Sequence, residues 1–196
     1  MTTTKKTKTV KTVRTKSSAI PVLPNNPFVY EVLDAASKQR SKAKKVEVLQ
    51  KYKHPSIVTI FVWNYDTSII TLLPEGDVPY GNTGEDQQTT GTLSDKINDA
   101  VDKMGEMGSK SLGSQDQGKA SIRREYSKFY NFIKGGNDKL SSLRRETMFI
   151  NILEGLHPLE AELLCLVKDK RLTDKYKITK EIVSEAYPQI TWGGRS

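Results

Sequence analysis

Residues 140–172 read LSSLRRETMFINILEGLHPLEAELLCLVKDKRL, the one stretch where apolar residues are both dense and helix-periodic. Leu140, Leu143, Thr147 and Ile150 recur at three- and four-residue spacing, and Phe149, Ile152, Leu153 and Leu156 carry the same face around the cylinder. That spacing predicts an amphipathic helix. Asn137 and Asp138, after the breaker Gly135-Gly136, are its N-cap candidates. Gly155 offers a left-handed residue at its end, and Pro158 cannot extend the ladder. Pro158 instead suits the first position of a second helix. Glu160 and Glu162 lie in that helix's first turn and Lys168, Lys170 and Arg171 near its end, each sign where the helix dipole favours it. Leu159, Leu163, Leu166 and Val167, with Leu164 and Cys165 beside them, make its expected buried stripe. Two helices with so short a joint must pack together, which predicts an αα-hairpin at the centre of the core.

Outward from this pair, Thr173 to Lys177 reads as a polar connection, and Thr179 caps a short helix carrying Ile182, Val183 and Ala186, closed by Pro188. The tail over 189–196, QITWGGRS, presents Trp192 in one of two ways. It either folds back as a core plug or projects, with Arg195, as a protein-binding peptide. On the other side, Ser121 caps a helix that turns Ile122, Tyr126, Phe129, Tyr130 and Ile133 inward. Arg123, Arg124, Lys128 and Lys134 interleave with its aromatics, a mixture that suits either packing or stacking on single-stranded nucleic acid.

Residues 81–120 are rich in Gly, Ser, Thr, Asp and Gln, and read as a long polar loop or insertion. Leu93, Ile97, Ala100, Val101 and Met104 spell one weak helix within it, and its acidic balance suits it to lie over basic faces. Upstream, Asn25-Asn26-Pro27 starts a helix with Phe28, Val32, Leu33 and Ala36 inward, and Ser41 starts another with the row Ala43, Val46, Leu49 and Tyr52. Ile57, Ile60 and Phe61 fit a short buried helix, preferred over a strand because nothing nearby offers a strand partner. The expected fold is all-α, with about six helices in one domain. Its helical parts are 25–80 and 121–188, with the insertion 81–120 between them, a basic arm over 1–24 and the Trp-bearing tail.

Charge is segregated. The net charge is +8, yet residues 1–24 carry Lys5, Lys6, Lys8, Lys11, Arg14 and Lys16 with no acid, and residues 38–53 carry seven bases against Glu47 alone. Low hydrophobicity with unbalanced charge predicts that the arm is disordered, serving either to solubilise or to neutralise phosphates. Lys38, Arg40, Lys42, Lys44 and Lys45 read either as a solvated helix face or as a second phosphate-contacting patch beside the arm.

Chemistry that would signal an enzyme is missing from the pattern. His54 and His157 each precede a proline at a helix start and read as loop residues, and no Cys/His/Asp/Glu group has zinc-like spacing. No glycine-rich phosphate cradle is present, and Cys165 reads as an inert small hydrophobe. Capping and solvation account for Glu154, Glu160 and Glu162. The expectation is a protein with no catalytic residues, no metal and no cofactor. One cysteine fits a reducing compartment, and no apolar run is long enough to cross a membrane.

Five stretches carry a resemblance: FVYEVLDAASKQRSKAKKVEVLQ (28–50), LLPEGDVPY (72–80), FYNFIKGGNDKL (129–140), RRETMFINILEGLHPLEAELLCLVKDKRL (144–172) and ITKEIVSEAYPQITWGGRS (178–196). Together they resemble a family of small uncharacterised proteins encoded by large contractile-tailed bacteriophages, notably those of marine bacteria. The resemblance implies a phage accessory factor acting in the host cytoplasm during infection, or one packaged in the virion, and it brings no site residues with it. Against that family the basic arm looks like an extension and the 81–120 stretch looks enlarged. Two functions follow as expectations. One is non-specific binding of DNA or RNA phosphate backbones through the arm and the basic helix. The other is a virion structural or adaptor role, in which the arm and the tail contact phage or host proteins.

Overall fold

The computed structural model describes residues 20–78 and 120–194, and the expected weak helix at 94–104 falls outside them. Among the described residues it is helical, with one isolated β-bridge, Thr71 to Ile133, and no strand. The helices are α1 (Val29–Ser37), α2 (Lys42–Lys51), α3 (Pro55–Tyr65), α4 (Ile122–Glu125, running on as a 3-10 segment Tyr126–Phe132), α5 (Ser142–Gly155), α6 (Pro158–Lys168), α7 (Leu172–Lys175) and α8 (Lys180–Ala186).

Local chemistry sets most starts. Ser41 Oγ accepts from the Lys44 amide at α2, and prolines stand at the first position of α3 and α6. His54 and His157 are more than loop residues: each imidazole Nδ1 accepts a backbone amide, from Ser56 and from Leu159, at 3.2 Å. The first helix begins two residues after Pro27, with Phe28 at the cap and the Glu31 carboxylate reaching back to the Phe28 amide at 2.7 Å.

The expected hairpin needs correction in three respects. First, α5 is capped by Ser141, while Asp138 accepts from the Gly135 amide and Asn137 donates to the Asn131 side chain. Second, its buried face is Arg145, Phe149, Ile152 and Leu153; Leu143, expected inside, is 75% exposed and Thr147 is also exposed. Third, α6 packs more extensively on α3 than on α5, so the centre is a single helix. Buried nearly all round, α6 behaves as a core helix. Gly155 keeps helical geometry and matters for another reason, since a Cβ there would stand 3.3 Å from the Ala120 Cβ.

The stretch expected to be one helix after Ser121 tightens into 3-10 geometry at Tyr126. With three residues per turn, positions 129 and 132 share a side. Phe129 and Phe132 therefore both reach Trp63, at 5.6 and 6.2 Å, and Phe132 meets Phe149 edge-on at 5.1 Å. This cluster ties residues before and after the 81–120 stretch into one core. Tyr130, at 52% exposed, points away from it. In α2 the buried set is Val46, Val48 and Leu49, whereas Ala43 is exposed.

Irregular connections leave carbonyls without backbone donors, and basic side chains satisfy them, two buried (Arg145, Lys168) and one exposed (Lys170). The Arg145 guanidinium donates to the carbonyls of Asn131, Asn137 and Leu140 at 2.8, 3.1 and 3.0 Å. Lys168 Nζ donates to those of Pro74 and Gly76 at 2.7 and 3.1 Å and pairs with Asp169. Lys170, the one non-glycine with positive φ among the described residues, ties down the carbonyls of Asp66 and Ile69. Three of the chain's bases are thus structural. A buried carbonyl without a donor costs about 1–3 kcal/mol, which is what these side chains avert.

Candidate polyanion-binding edge

The α2 helix lies against α1 and α8, and its polar side forms one edge of the molecule. Lys38, Arg40 and Lys42 are exposed there, while Lys44 and Lys45 are half-buried. Lys38, Lys42, Lys44 and Lys45 each have a partner. Lys38 pairs with Asp34 at 2.6 Å, and Lys42 pairs with Glu185 of α8 at 2.9 Å. Lys45 Nζ donates to the Lys177 carbonyl, and the Lys177 amide donates to Ser37 Oγ at 2.9 Å. Both ion pairs are about half exposed, so water competes for them and either lysine can exchange its partner at little cost.

The contacts of Lys177 with Lys45 and Ser37 extend the edge with a base that the local pattern did not single out. Lys180, on α8, stacks its ammonium 4.8 Å from the Trp192 ring. Nothing local links these residues to Lys42 or Lys45; only the packing of α8 on α2 does so. The dense lysines of 175–180 were the available hint.

At the far end of α2, Tyr52 Oη donates to the Pro21 carbonyl and accepts the Leu23 amide, both at 2.9 Å, and Lys51 stacks over its ring. The root of the N-terminal stretch is thereby fixed to the basic helix. Lys5, Lys6, Lys8, Lys11, Arg14 and Lys16 themselves lie outside the described residues.

Of the two readings of the tail, Trp192 follows the first. Its Nε1 donates to Ser184 Oγ at 3.0 Å, it is partly buried, and the Gly193 amide donates to Asp66 Oδ2. To enter a partner's groove the indole would have to leave this place. Arg195 lies outside the described residues.

A second polar cluster sits in the interior. Glu160, expected to be solvated, is fully buried, and its carboxylate accepts the amides of Val29 and Ile122 at 2.9 and 2.8 Å. It thus caps α1 and α4 from a helix remote in sequence. Burial pushes its carboxyl up to about 7, although both amides and Arg123 pull it down. Beside it His157 stacks on Tyr30 at 5.1 Å, and burial brings the imidazole down to about 4. Cys165 is buried and its thiol is pushed up to about 12 by burial, which keeps it unreactive. This cluster is closed to solvent and works as a clamp.

Among the described residues no group of His, Cys, Asp and Glu side chains can hold a metal ion, and no helix is long and apolar enough to cross a membrane. What the geometry defines, among the described residues, is a helical protein with a cluster of basic side chains along the α2 edge. The chain belongs to a family of unknown function, DUF6433, whose model matches residues 32–104 and 108–174. No curated protein and no solved structure matches it. The family match runs through most of 81–120. The α2 edge lies inside the match, and the residues before 32 and after 174 lie outside it.

Proposed function

We propose that the protein is a non-enzymatic binder of nucleic acid, gripping DNA or RNA phosphates through its N-terminal bases and the α2 edge without reading sequence. The observation that carries this is the Tyr52 clasp on Pro21 and Leu23, which tethers a stretch with six bases and no acid to the helix bearing Lys42, Lys44 and Lys45. Two basic elements joined in this way engage one backbone together, and each phosphate neutralised releases condensed counterions. In the setting that the resemblance implies, the protein acts on nucleic acid in the host cytoplasm during phage infection or accompanies it in the virion.

The test is fluorescence anisotropy with a labelled duplex of random sequence across a salt series. With about six to ten phosphate contacts, affinity falls by roughly three to five decades between low and moderate salt. No binding at low salt, or binding indifferent to salt, would overturn the reading.

A second reading, an adaptor or virion component that binds another protein, draws on a different observation. An open groove of about 640 Å³ runs along α5, with Leu143, Met148 and Ile152 in its wall and Lys128 and Arg144 at its edge. It favours a protein contact at that groove, away from the tail. Pull-down from infected cells with and without nuclease treatment separates the two readings.

A further inference from the structure

Lys42, the first residue of α2, takes its ion pair from another helix. Its Nζ lies 2.9 Å from Glu185 Oε2 on α8, so tertiary packing fixes the pair, unlike the local pair of Lys38 with Asp34. Glu181, one turn before Glu185, bears on the same ammonium. Its carboxyl is held below the usual range by the Thr179 hydroxyl and its own backbone, and also by the charges of Lys42 and Lys180. The basic edge therefore carries its own anion at the position where a phosphate would meet Lys42.

We propose that Glu185 is a resident competitor of phosphate that makes the α2 edge select densely charged polyanions over isolated anions; this rests on the nucleic-acid reading above. A lone phosphate reaches Lys42 only by displacing Glu185, and it gains little because an exposed pair is worth no more than a few-fold in either direction. A strand presenting a phosphate about every 3.4 Å meets Lys38, Arg40, Lys45 and Lys177 as well, and those contacts offset the exchange at Lys42. Glu185 thus raises the threshold of charge density at which the edge is occupied.

The experiment compares full-length wild type, Glu185→Gln, Lys42→Ala and the double variant. It uses anisotropy of a labelled random-sequence duplex over a salt series, and a separate titration with inorganic phosphate. Glu185→Gln is expected to bind the duplex about three-fold tighter. The slope of log affinity against log salt steepens by about 0.9, because Lys42 now releases a full counterion. Inorganic phosphate, titrated at constant ionic strength against the protein without duplex, is likewise expected to bind Glu185→Gln a few-fold tighter than wild type. All these gains vanish when Lys42 is also Ala; gains that persist there reflect net charge alone and overturn the inference. Equal affinities and slopes for wild type and Glu185→Gln overturn it too, while leaving the nucleic-acid reading intact. Failure of wild type to bind at low salt overturns both. Glu185 is half exposed and Gln is isosteric, so the melting temperature of each variant serves as the folding control.

Discussion

Glu160 and Lys168 stand eight residues apart on α6, and each holds one flank of the stretch between residues 78 and 120. Lys168 binds the carbonyls of Pro74 and Gly76, and Glu160 binds the amide of Ile122. At 1.5 Å per residue the two anchors lie about 12 Å apart along the axis. One helix therefore anchors the described residues on both sides of that stretch.

Replacing Lys168 by Met removes the donor from two carbonyls and leaves the Asp169 carboxylate without its ammonium. Breaking a buried pair from one side costs about 3–5 kcal/mol. Urea denaturation is expected to show a loss of that order. A loss below about 1 kcal/mol would mean that water replaces the ammonium without penalty.

Stability should respond to pH through two buried groups acting in opposite senses. The Glu160 carboxyl sits at about 7 in the folded chain against an ordinary 4.5, so its contribution is complete below 4.5 and is lost as pH rises through 7. His157 sits at about 4 against 6.5, so its contribution is complete above 6.5 and is lost as pH falls through 4. Between those ordinary values the slopes oppose, each approaching about 1.4 kcal/mol per pH unit. Glu31, raised by burial, and His54, lowered by burial, add to the same balance. Scanning calorimetry is expected to give a nearly flat melting temperature for wild type from about pH 4.5 to 6.5. Glu160→Gln should unmask a fall on acidification, and His157→Asn, which keeps a capping acceptor, a rise.

Arg145 reaches three carbonyls at once, which a lysine ammonium on a flexible stem does not reproduce. Arg145→Lys is expected to lose most of what Arg145→Leu loses, about 2–4 kcal/mol by chemical denaturation. Full retention of stability by the lysine variant would show that charge, and not the planar fork, is what the 131–140 turn requires.

Tyr52→Phe deletes the hydroxyl that pins Pro21 and Leu23 while leaving the ring in place. Stability is expected to drop by only about 1 kcal/mol. Duplex affinity should fall further than that, towards the value of a chain lacking its first nineteen residues. Unchanged affinity would show that the root's attachment is irrelevant to binding.

Short-range chemistry was legible along the chain: Ser41, Pro55, Pro158 and Thr179 start the helices expected of them. The facing of α5 was not. Leu143 and Thr147 sit at good helical spacing with Ile150, but the helix starts later than Asn137, and an arginine takes a core position because nearby carbonyls need a donor. Glu160 was misjudged for a related reason. An acid in a first turn has an adequate local explanation, and its true partners lie 131 and 38 residues away. The exposed lysines of α2 were visible as a cluster, but the acid facing Lys42 comes from α8 and leaves no trace in local spacing.

The double cap at Glu160 also bears on synthesis. Until residue 160 has left the ribosome, the Val29 amide at the head of α1 has no partner, although α1 to α3 are already made. The cap on α1 therefore waits for a residue 131 positions further along the chain, a closure of high sequence separation that delays the docking of that helix.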